Sequence, residues 1–252
     1  MGNSALSCKR VISPFRNSPR NHKIDTITIH CVVGQASVES LCSLFQTSGA
    51  SCNYAIGSDG RICTIVDEAD RSWCSSSPAN DNRAVTIECA SDSSHPYAIN
   101  QAVMDSLIKL CADICKRNGI ERLVWSTDQN TRVNHLNGCN MTVHRDYANK
   151  SCPGDYIYDR LGQIAAAVNK ILKGDEDMTV EQARQVFKEE YAKLNPTYNT
   201  VGQVPAYWRE DIRQLMELDI IQGTGNGKLG MTHSECKAAV IVKRGLEKGK
   251  AI

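Results

Sequence analysis

Three side chains in the sequence have the types and the setting of zinc ligands. His30 ends the segment TITIH, His144 ends the segment MTVH, and Cys152 follows eight residues later in HRDYANKSCPG. Two imidazoles and one thiolate leave the fourth position of a tetrahedral zinc ion open for water, as in catalytic rather than structural sites. The sequence therefore predicts a Zn²⁺ site made of His30, His144 and Cys152.

The segments that must position these ligands have the alternation of strands. In residues 24–33, isoleucines fall on one side while threonines and His30 fall on the other, which predicts a strand with one buried face. Residues 84–90 repeat this pattern around Glu88. Residues 53–66 place an Asp-Gly pair between two apolar runs, which is typical of a β-hairpin.

Helical segments separate these strands. Residues 37–46 begin with a serine suited to an N-cap, and residues 100–118 repeat apolar side chains every three or four positions before a glycine. Residues 156–172 predict a second long amphipathic helix, and residues 123–125 a short strand. The pattern predicts an α/β fold in which helices flank a central mixed β-sheet.

The charged segment KGDED indicates a domain boundary. We expect a catalytic domain at residues 1–173, a linker at 174–179 and a small helical C-terminal domain at 180–252. The helices predicted in this last domain cover residues 180–194, 206–218 and 233–248.

Composition excludes several classes of protein. The chain has 252 residues, of which 23% are charged, and a net charge of +1, so nothing indicates nucleic-acid binding. No apolar run is long enough to insert into a membrane. The N-terminus is polar and lacks the apolar core of a signal peptide, which predicts synthesis in the cytoplasm. The twelve cysteines are expected to be reduced and mostly to pack as small hydrophobic side chains.

Four motifs, in chain order, resemble one family. TIHC, NYAIGSDGRI, VTIECA and TVHRDYANKSCPGDY are similar to the N-acetylmuramoyl-L-alanine amidase family 2, which includes phage endolysins, bacterial cell-wall amidases and peptidoglycan-recognition proteins. The resemblance implies a zinc hydrolase that cuts the linear amide between N-acetylmuramic acid and L-alanine of bacterial peptidoglycan. It implies cell-wall degradation after release from the cytoplasm, by a bacteriolytic endolysin of phage or prophage type. It also places His30, His144 and Cys152 at the family's metal positions.

The same resemblance suggests roles for four more residues. Tyr54 matches a tyrosine that faces the metal-bound water in many members, and Glu88 matches a glutamate proposed to transfer protons. Lys150 matches a lysine that stabilises the transition state, and Trp73 falls in a region that lines the substrate groove. Either Glu88 or Tyr54 could be the main proton carrier. For each of these residues the alternative is a purely structural role.

Two other functions fit parts of the sequence. A recognition module would bind peptidoglycan without cutting it, but such proteins typically lose a metal ligand, whereas Cys152 and Lys150 are both present. A structural zinc site in an unrelated hydrolase would need a fourth protein ligand in place of water.

The C-terminal segment carries a second, weaker resemblance. Residues 206–245 contain apolar positions at helical spacing, a glycine-rich turn and a second helix, which resembles one surface-layer-homology-like repeat. Such repeats usually bind cell wall. Because one repeat has a small core, a homodimer through this region is an alternative hypothesis.

Overall fold

The computed structural model describes residues 2–174, 180–225 and 228–249. The chain divides into two compact units, Met1–Arg184 and Gln185–Ile252. Most of the predicted linker, residues 175–179, lies outside the described residues. The expected domain limits therefore stay a prediction.

Short strands and helices alternate through the first unit. Its strands are β1 (Ser7–Arg10), β2 (Arg16–Asn17), β3 (Thr26–Val33), β4 (Tyr54–Ile56), β5 (Ile62–Thr64), β6 (Arg71–Ser72), β7 (Ala84–Ser91) and β8 (Met141–Val143). Its helices are α1 (Val38–Leu44), α2 (Pro78–Arg83), α3 (Gln101–Asn118), α4 (Gln129–Val133), α5 (Asp155–Tyr158) and α6 (Leu161–Leu172). A further helix, α7 (Val180–Leu194), runs across the limit between the units.

Six of these strands form the central sheet in the order β1-β5-β4-β7-β3-β8. Strands β3, β7 and β8 are parallel to one another, β4 is parallel to β7, and β4 and β5 form the antiparallel hairpin. The predicted mixed sheet with flanking helices is confirmed. Strands β2 and β6 form a separate two-stranded antiparallel pair.

The register of the sheet decides which residues share a face. His30 is paired with Glu88, and Glu88 with Ala55, so these three side chains lie on one face. Helix α1 covers part of this face, because its buried Leu41 belongs to the same apolar core as Ala55. Their chain neighbours, among them Tyr54, lie on the opposite face, where α3 packs.

Local signals fix the ends of the two helices that cover the sheet. Ser37 caps α1 by accepting the N–H of Ser40, as the serine at this position predicted. Helix α3 ends at Gly119, whose φ of 68° gives the left-handed C-cap that favours glycine.

Two predicted elements differ from the structure. Residues 123–125 do not form a strand, because their N–H groups are bound by side-chain amides: Leu123 N–H donates to Asn169 Oδ1 and Val124 N–H to Asn140 Oδ1, both at 2.7 Å. The contact with β8 is made by the Val124 carbonyl, which accepts the N–H groups of Asn140 and Met141 at 3.2 Å. The single helix predicted at 156–172 is two helices, α5 and α6. The break falls at Arg160, whose φ of −109° and ψ of 0° leave the helical region.

One pair of cysteines departs from the expectation of reduced thiols. Cys42 in α1 and Cys63 in β5 are joined by a disulfide within the core between the helix and the sheet. The other ten cysteines are free, and seven of these are buried. For most of them the expected role as small apolar side chains agrees with their position.

The second unit is helical with one short antiparallel pair of strands. After α7, residues Ala206–Trp208 form a 3-10 turn that leads into α8 (Arg209–Glu217), so the helix predicted at 206–218 is divided. Strands β9 (Thr197–Tyr198) and β10 (Met231–Thr232) pair before α9 (His233–Gly249). Its core is made of the buried residues Tyr198, Val204, Trp208, Ile212, Leu215, Leu229, Cys236 and Val240. No helix among the described residues is long and apolar enough to cross a membrane.

Candidate active site and metal centre

The three predicted metal ligands lie together at one edge of the sheet. Ile29 is paired with Val143 in the parallel strands β3 and β8, so His30 and His144, the next residues of each strand, are neighbours. Cys152 lies in the loop before α5, where its Sγ accepts the N–H of Cys31 at 3.4 Å and lies 3.4 Å from His30 Nδ1. One ligand atom of each of the three residues lies within 4.8 Å of the others.

The chemistry of this cluster fits a zinc ion. Burial, and next the nearby His144, lowers the pKa of His30 to about 3. Burial and the charge of Lys150 also lower the pKa of His144. Both imidazoles are therefore neutral at pH 7, as metal ligands must be. His30 is fully buried, and its Nε2 has no hydrogen-bond partner within the described part of the chain.

Glu88 adjoins the cluster and is poorly satisfied. Its Oε1 lies 3.9 Å from His30 Nδ1 and 3.9 Å from the Sγ of Cys74. Its Oε2 is buried without a hydrogen-bond partner in residues 2–174, 180–225 and 228–249. Burial, and next the nearby Cys31, raises the pKa of Glu88 to about 8. A carboxyl group with this pKa can both accept and donate a proton near neutral pH.

The structure does not bring Tyr54 to this site. Because side chains alternate along a strand, Tyr54 faces away from Glu88 even though the two strands are neighbours. Its hydroxyl donates to Glu68 Oε1 at 2.6 Å and accepts the N–H of Ser4 at 2.7 Å. The expectation that Tyr54 faces the metal is corrected: it belongs to a buried network under α3, with Glu68 and Arg117.

An open cleft of about 480 Å³ begins at His144. Trp73 forms part of its wall with 40% of its surface exposed, in the region expected to bind substrate. The cleft is lined by Gly49, Ala50, Arg71, Trp73, Cys74, Ser76, Ser77, Pro78, Asp81, His144 and Lys150. A second cavity of about 400 Å³, bounded by His95, Tyr97 and Arg145, shares Lys150 with the first. Lys150 thus stands between two open spaces beside the candidate metal centre.

The loop before α2 supplies two residues that the sequence did not single out. Ser76 Oγ lies 3.1 Å from His144 Nε2 and can fix the orientation of that ring. Cys74 lines the cleft beside Glu88. Asp81 holds this loop in place by accepting the N–H groups of Cys74 and Ser75 at 3.0 and 3.1 Å. The segment RSWCSSSPAN carries no spacing that would have indicated either contact.

A buried ion pair supports the backbone next to His144. Asp146 accepts the N–H of Val143 at 3.1 Å. Its two carboxylate oxygens also accept from Nε of Arg132, at 2.9 and 3.1 Å. Arg145 pairs instead with Asp155 at 3.1 Å. Asp146 therefore acts on the backbone of the ligand-bearing segment rather than on the imidazole.

Comparison with known proteins assigns the family. A sequence model described as N-acetylmuramoyl-L-alanine amidase matches residues 20–155, more than half of the chain, and this range contains the whole cluster. The chain belongs to the N-acetylmuramoyl-L-alanine amidase family. No protein with a curated function matches the sequence.

Several solved structures are distantly similar. The endolysin N-acetylmuramoyl-L-alanine amidase LysCS from Clostridium intestinale URNW has 18% identity and a TM-score of 0.44, over 62% of this chain and 93% of its own. A selenomethionine derivative of AmpD has 17% identity and a TM-score of 0.49, over 67% and 95%. The Staphylococcus aureus hydrolase AmiA has 15% identity and a TM-score of 0.43, over 73% and 82%.

Proposed function

We propose that the protein is a zinc-dependent peptidoglycan amidase that hydrolyses the bond between N-acetylmuramic acid and L-alanine. The observation that carries this proposal is the cluster of His30, His144 and Cys152 beside the buried carboxyl of Glu88, within the part of the chain that matches the amidase family. Two imidazoles and one thiolate would hold the ion and leave one position open.

Each remaining residue then has a task set by its position. A bound zinc ion lowers the pKa of water to about 7 and polarises a carbonyl. Glu88 takes the proton of the attacking water and returns it to the leaving nitrogen, since its raised pKa suits both transfers. Lys150, close enough to influence His144, stabilises the negative charge that develops on the amide oxygen.

The two cavities that Lys150 lines are the proposed binding site for the substrate. We assign the cleft walled by Trp73 to one side of the scissile amide and the cavity at His95 and Arg145 to the other. An exposed indole can cover the apolar face of a sugar ring while leaving the hydroxyl groups to water. Substrate spanning both cavities would pass Lys150 and the metal centre.

We further propose an endolysin-type role. The enzyme would be made in the cytoplasm and act on the cell wall after release, as expected of a phage or prophage lysin. The second unit would bind cell wall as a surface-layer-homology-like module, or join two copies of the chain. Tyr207 supports a binding role, because 65% of its surface is exposed on this unit.

Mass spectrometry of digested cell walls tests the reaction. Purified peptidoglycan should gain free L-alanine amino groups, and a chelator should abolish this gain until zinc is restored. New reducing sugars without new amino termini would contradict the amidase assignment. Binding to walls without any cleavage would instead identify a recognition module.

A substitution at the metal centre tests the ligand set. Cys152→Ser should lower kcat/KM by about 1,000-fold or more, because the ion supplies several kcal/mol of transition-state stabilisation. Its zinc content should fall in parallel. Cys8→Ser is the matched control, since Cys8 is exposed and remote in sequence from the site. Full activity of Cys152→Ser would refute the proposed zinc site.

Sedimentation with cell walls tests the second unit. Tyr207→Ala in the full chain should reduce the bound fraction without changing hydrolysis of small soluble muropeptides. A change in sedimentation coefficient with protein concentration, and no effect of Tyr207→Ala on wall binding, would favour the dimer.

A further inference from the structure

A second group of metal-binding side chains lies beside the first. His30, Cys74 and Glu88 each offer one ligand atom, and these atoms lie within 4.8 Å of one another. Glu88 Oε1 is 3.9 Å from His30 Nδ1 and 3.9 Å from Cys74 Sγ. Ligands around a tetrahedral zinc ion stand roughly 3.4 to 3.6 Å apart, given bond lengths of about 2.0 to 2.3 Å. The two separations of 3.9 Å are therefore a few tenths of an ångström longer than those around a bound ion.

Two features of this group fit a bound ion. Cys74 is buried but is one of the residues that line the open cleft. Glu88 Oε2 is buried and has no hydrogen-bond partner among the residues that the structure describes. Buried polar atoms are normally satisfied, and a cation is one ligand that satisfies a carboxylate.

The two groups share one nitrogen atom. His30 Nδ1 lies 3.4 Å from Cys152 Sγ and 3.9 Å from Glu88 Oε1. An imidazole nitrogen has one lone pair and binds one ion. A chain that uses this nitrogen for one position cannot use it for the other, so the two positions are mutually exclusive.

We propose that His30, Cys74 and Glu88 form an alternative position for zinc or another thiophilic divalent cation, which a single ion occupies in exchange with the position at His144 and Cys152. An ion in the alternative position removes His30 from the first ligand set. It also coordinates Glu88, which then cannot transfer protons. This form of the protein holds metal but is inactive.

Cobalt titration of the chelator-stripped full-length protein tests the proposal, because Co²⁺ bound to a thiolate has a charge-transfer absorption band. The wild-type chain should bind one cobalt ion. Cys152→Ala should still bind one cobalt ion with a thiolate band. The double variant Cys152→Ala/Cys74→Ser should lose the band and bind cobalt at least about 100-fold more weakly, a larger loss than removal of an outer-shell partner causes.

Two further variants keep the result interpretable. Cys31 contacts Cys152 and lies close enough to influence Glu88, so it is a competing thiol, and Cys152→Ala/Cys31→Ser should keep the band. Cys152→Ala/Glu88→Gln should weaken binding at least about 10-fold and serves if the other double variant does not fold, as judged by circular dichroism. No band in folded Cys152→Ala, or a band that survives loss of Cys74 but not of Cys31, would overturn the proposal.

The inference rests on the proposed function only for the place of the first metal position. The titration measures metal binding and not catalysis. If the wild-type chain fails to cut peptidoglycan but the cobalt results follow the expected pattern, the amidase proposal fails and the alternative position stands. If hydrolysis requires zinc but Cys152→Ala binds no cobalt through a thiolate, only the alternative position fails.

Discussion

Two buried carboxyl groups on opposite faces of the sheet have contrasting surroundings. Glu68, fully buried, accepts hydrogen bonds from Tyr54 at 2.6 Å, from Arg117 at 2.6 and 2.9 Å and from Asn118 at 3.1 Å. Glu88 has only contacts of 3.9 Å to Cys74 and His30, and one of its oxygens has no partner in the described part of the chain.

This difference distinguishes a carboxyl group that stabilises the fold from one that belongs to the candidate active site. A buried carboxylate that is fully hydrogen-bonded and paired with arginine stabilises the fold around it, and removing it leaves its partners unsatisfied. A buried carboxyl group with few partners costs stability, so its retention points to chemistry. We therefore expect substitution of Glu88 to affect catalysis and substitution of Glu68 to affect folding.

Of the three substitutions that compare these two faces of the sheet, Glu88→Gln should produce the largest change in activity. The amide has nearly the same shape but cannot carry the proton, so kcat should fall by about 100- to 1,000-fold, within the range of general acid–base catalysis. The midpoint of urea unfolding should stay the same or rise, because a strained ionisable group is removed. Hydrolysis of purified peptidoglycan and a denaturation curve provide the two measurements. If Glu88→Gln were active but less stable than the wild type, Glu88 would have a structural role and not a catalytic one.

Glu68→Gln should do the opposite. Loss of the charge removes the ion pair with Arg117, whose guanidinium keeps Asp113 at 2.8 Å and the carbonyl of Gly2 at 2.7 Å. It also weakens the contacts to Tyr54 and Asn118. Because Arg117 is partly exposed, we expect the free energy of unfolding to fall by about 2 to 4 kcal/mol. At a temperature where the variant is folded, its kcat should be within about twofold of the wild type. A large loss of kcat in fully folded protein would place Glu68 in the catalytic machinery.

Tyr54→Phe tests the same difference between the two faces of the sheet by removing a single oxygen atom. The hydroxyl makes two buried hydrogen bonds, to Glu68 and from the N–H of Ser4, so its loss should cost about 1 to 3 kcal/mol of unfolding free energy. Activity of the folded variant should not change, since the ring lies on the face away from Glu88. A selective loss of kcat would restore Tyr54 as a candidate proton carrier.

The sequence could identify residues whose positions depend on the pattern of their neighbours along the chain. The threonine-histidine alternation predicted the strand that ends at His30, and parallel pairing with β8 then brought His144 beside it. Glu88 was singled out by the family resemblance, and the same alternation placed it on the polar face of its own strand. The Ser37 cap and the Gly119 stop are likewise local signals, and both predicted helix ends closely.

The residues that the sequence misplaced or missed depend on contacts between distant segments. The sequence around Tyr54 does not show which face of the sheet its side chain occupies. Only the register with β7 shows that it points to α3. Ser76 reaches His144 across 68 positions, and Cys74 reaches Glu88 from a different loop. The disulfide between Cys42 and Cys63 joins a helix to a hairpin strand, which no local spacing indicates.

The pH dependence of stability gives the smallest and most specific test of the surroundings of Glu88. The pKa of Glu88 is raised from 4.5 to about 8 in the folded protein, chiefly by burial. Between these two values the folded state keeps a proton that the unfolded state has released, so this residue lowers stability as pH rises through that window. His30 acts in the opposite direction between about 3 and 6.5, because its pKa is lowered by folding.

Because His30 is present in both the wild type and Glu88→Gln, its contribution cancels when their unfolding free energies are subtracted. In chelator-treated protein, the unfolding free energy of the wild type minus that of Glu88→Gln should fall steadily between pH 5 and pH 8. Urea unfolding at four pH values measures this difference. A flat difference for Glu88→Gln would mean that Glu88 is already ionised at pH 5, and that its pKa is not raised by its surroundings.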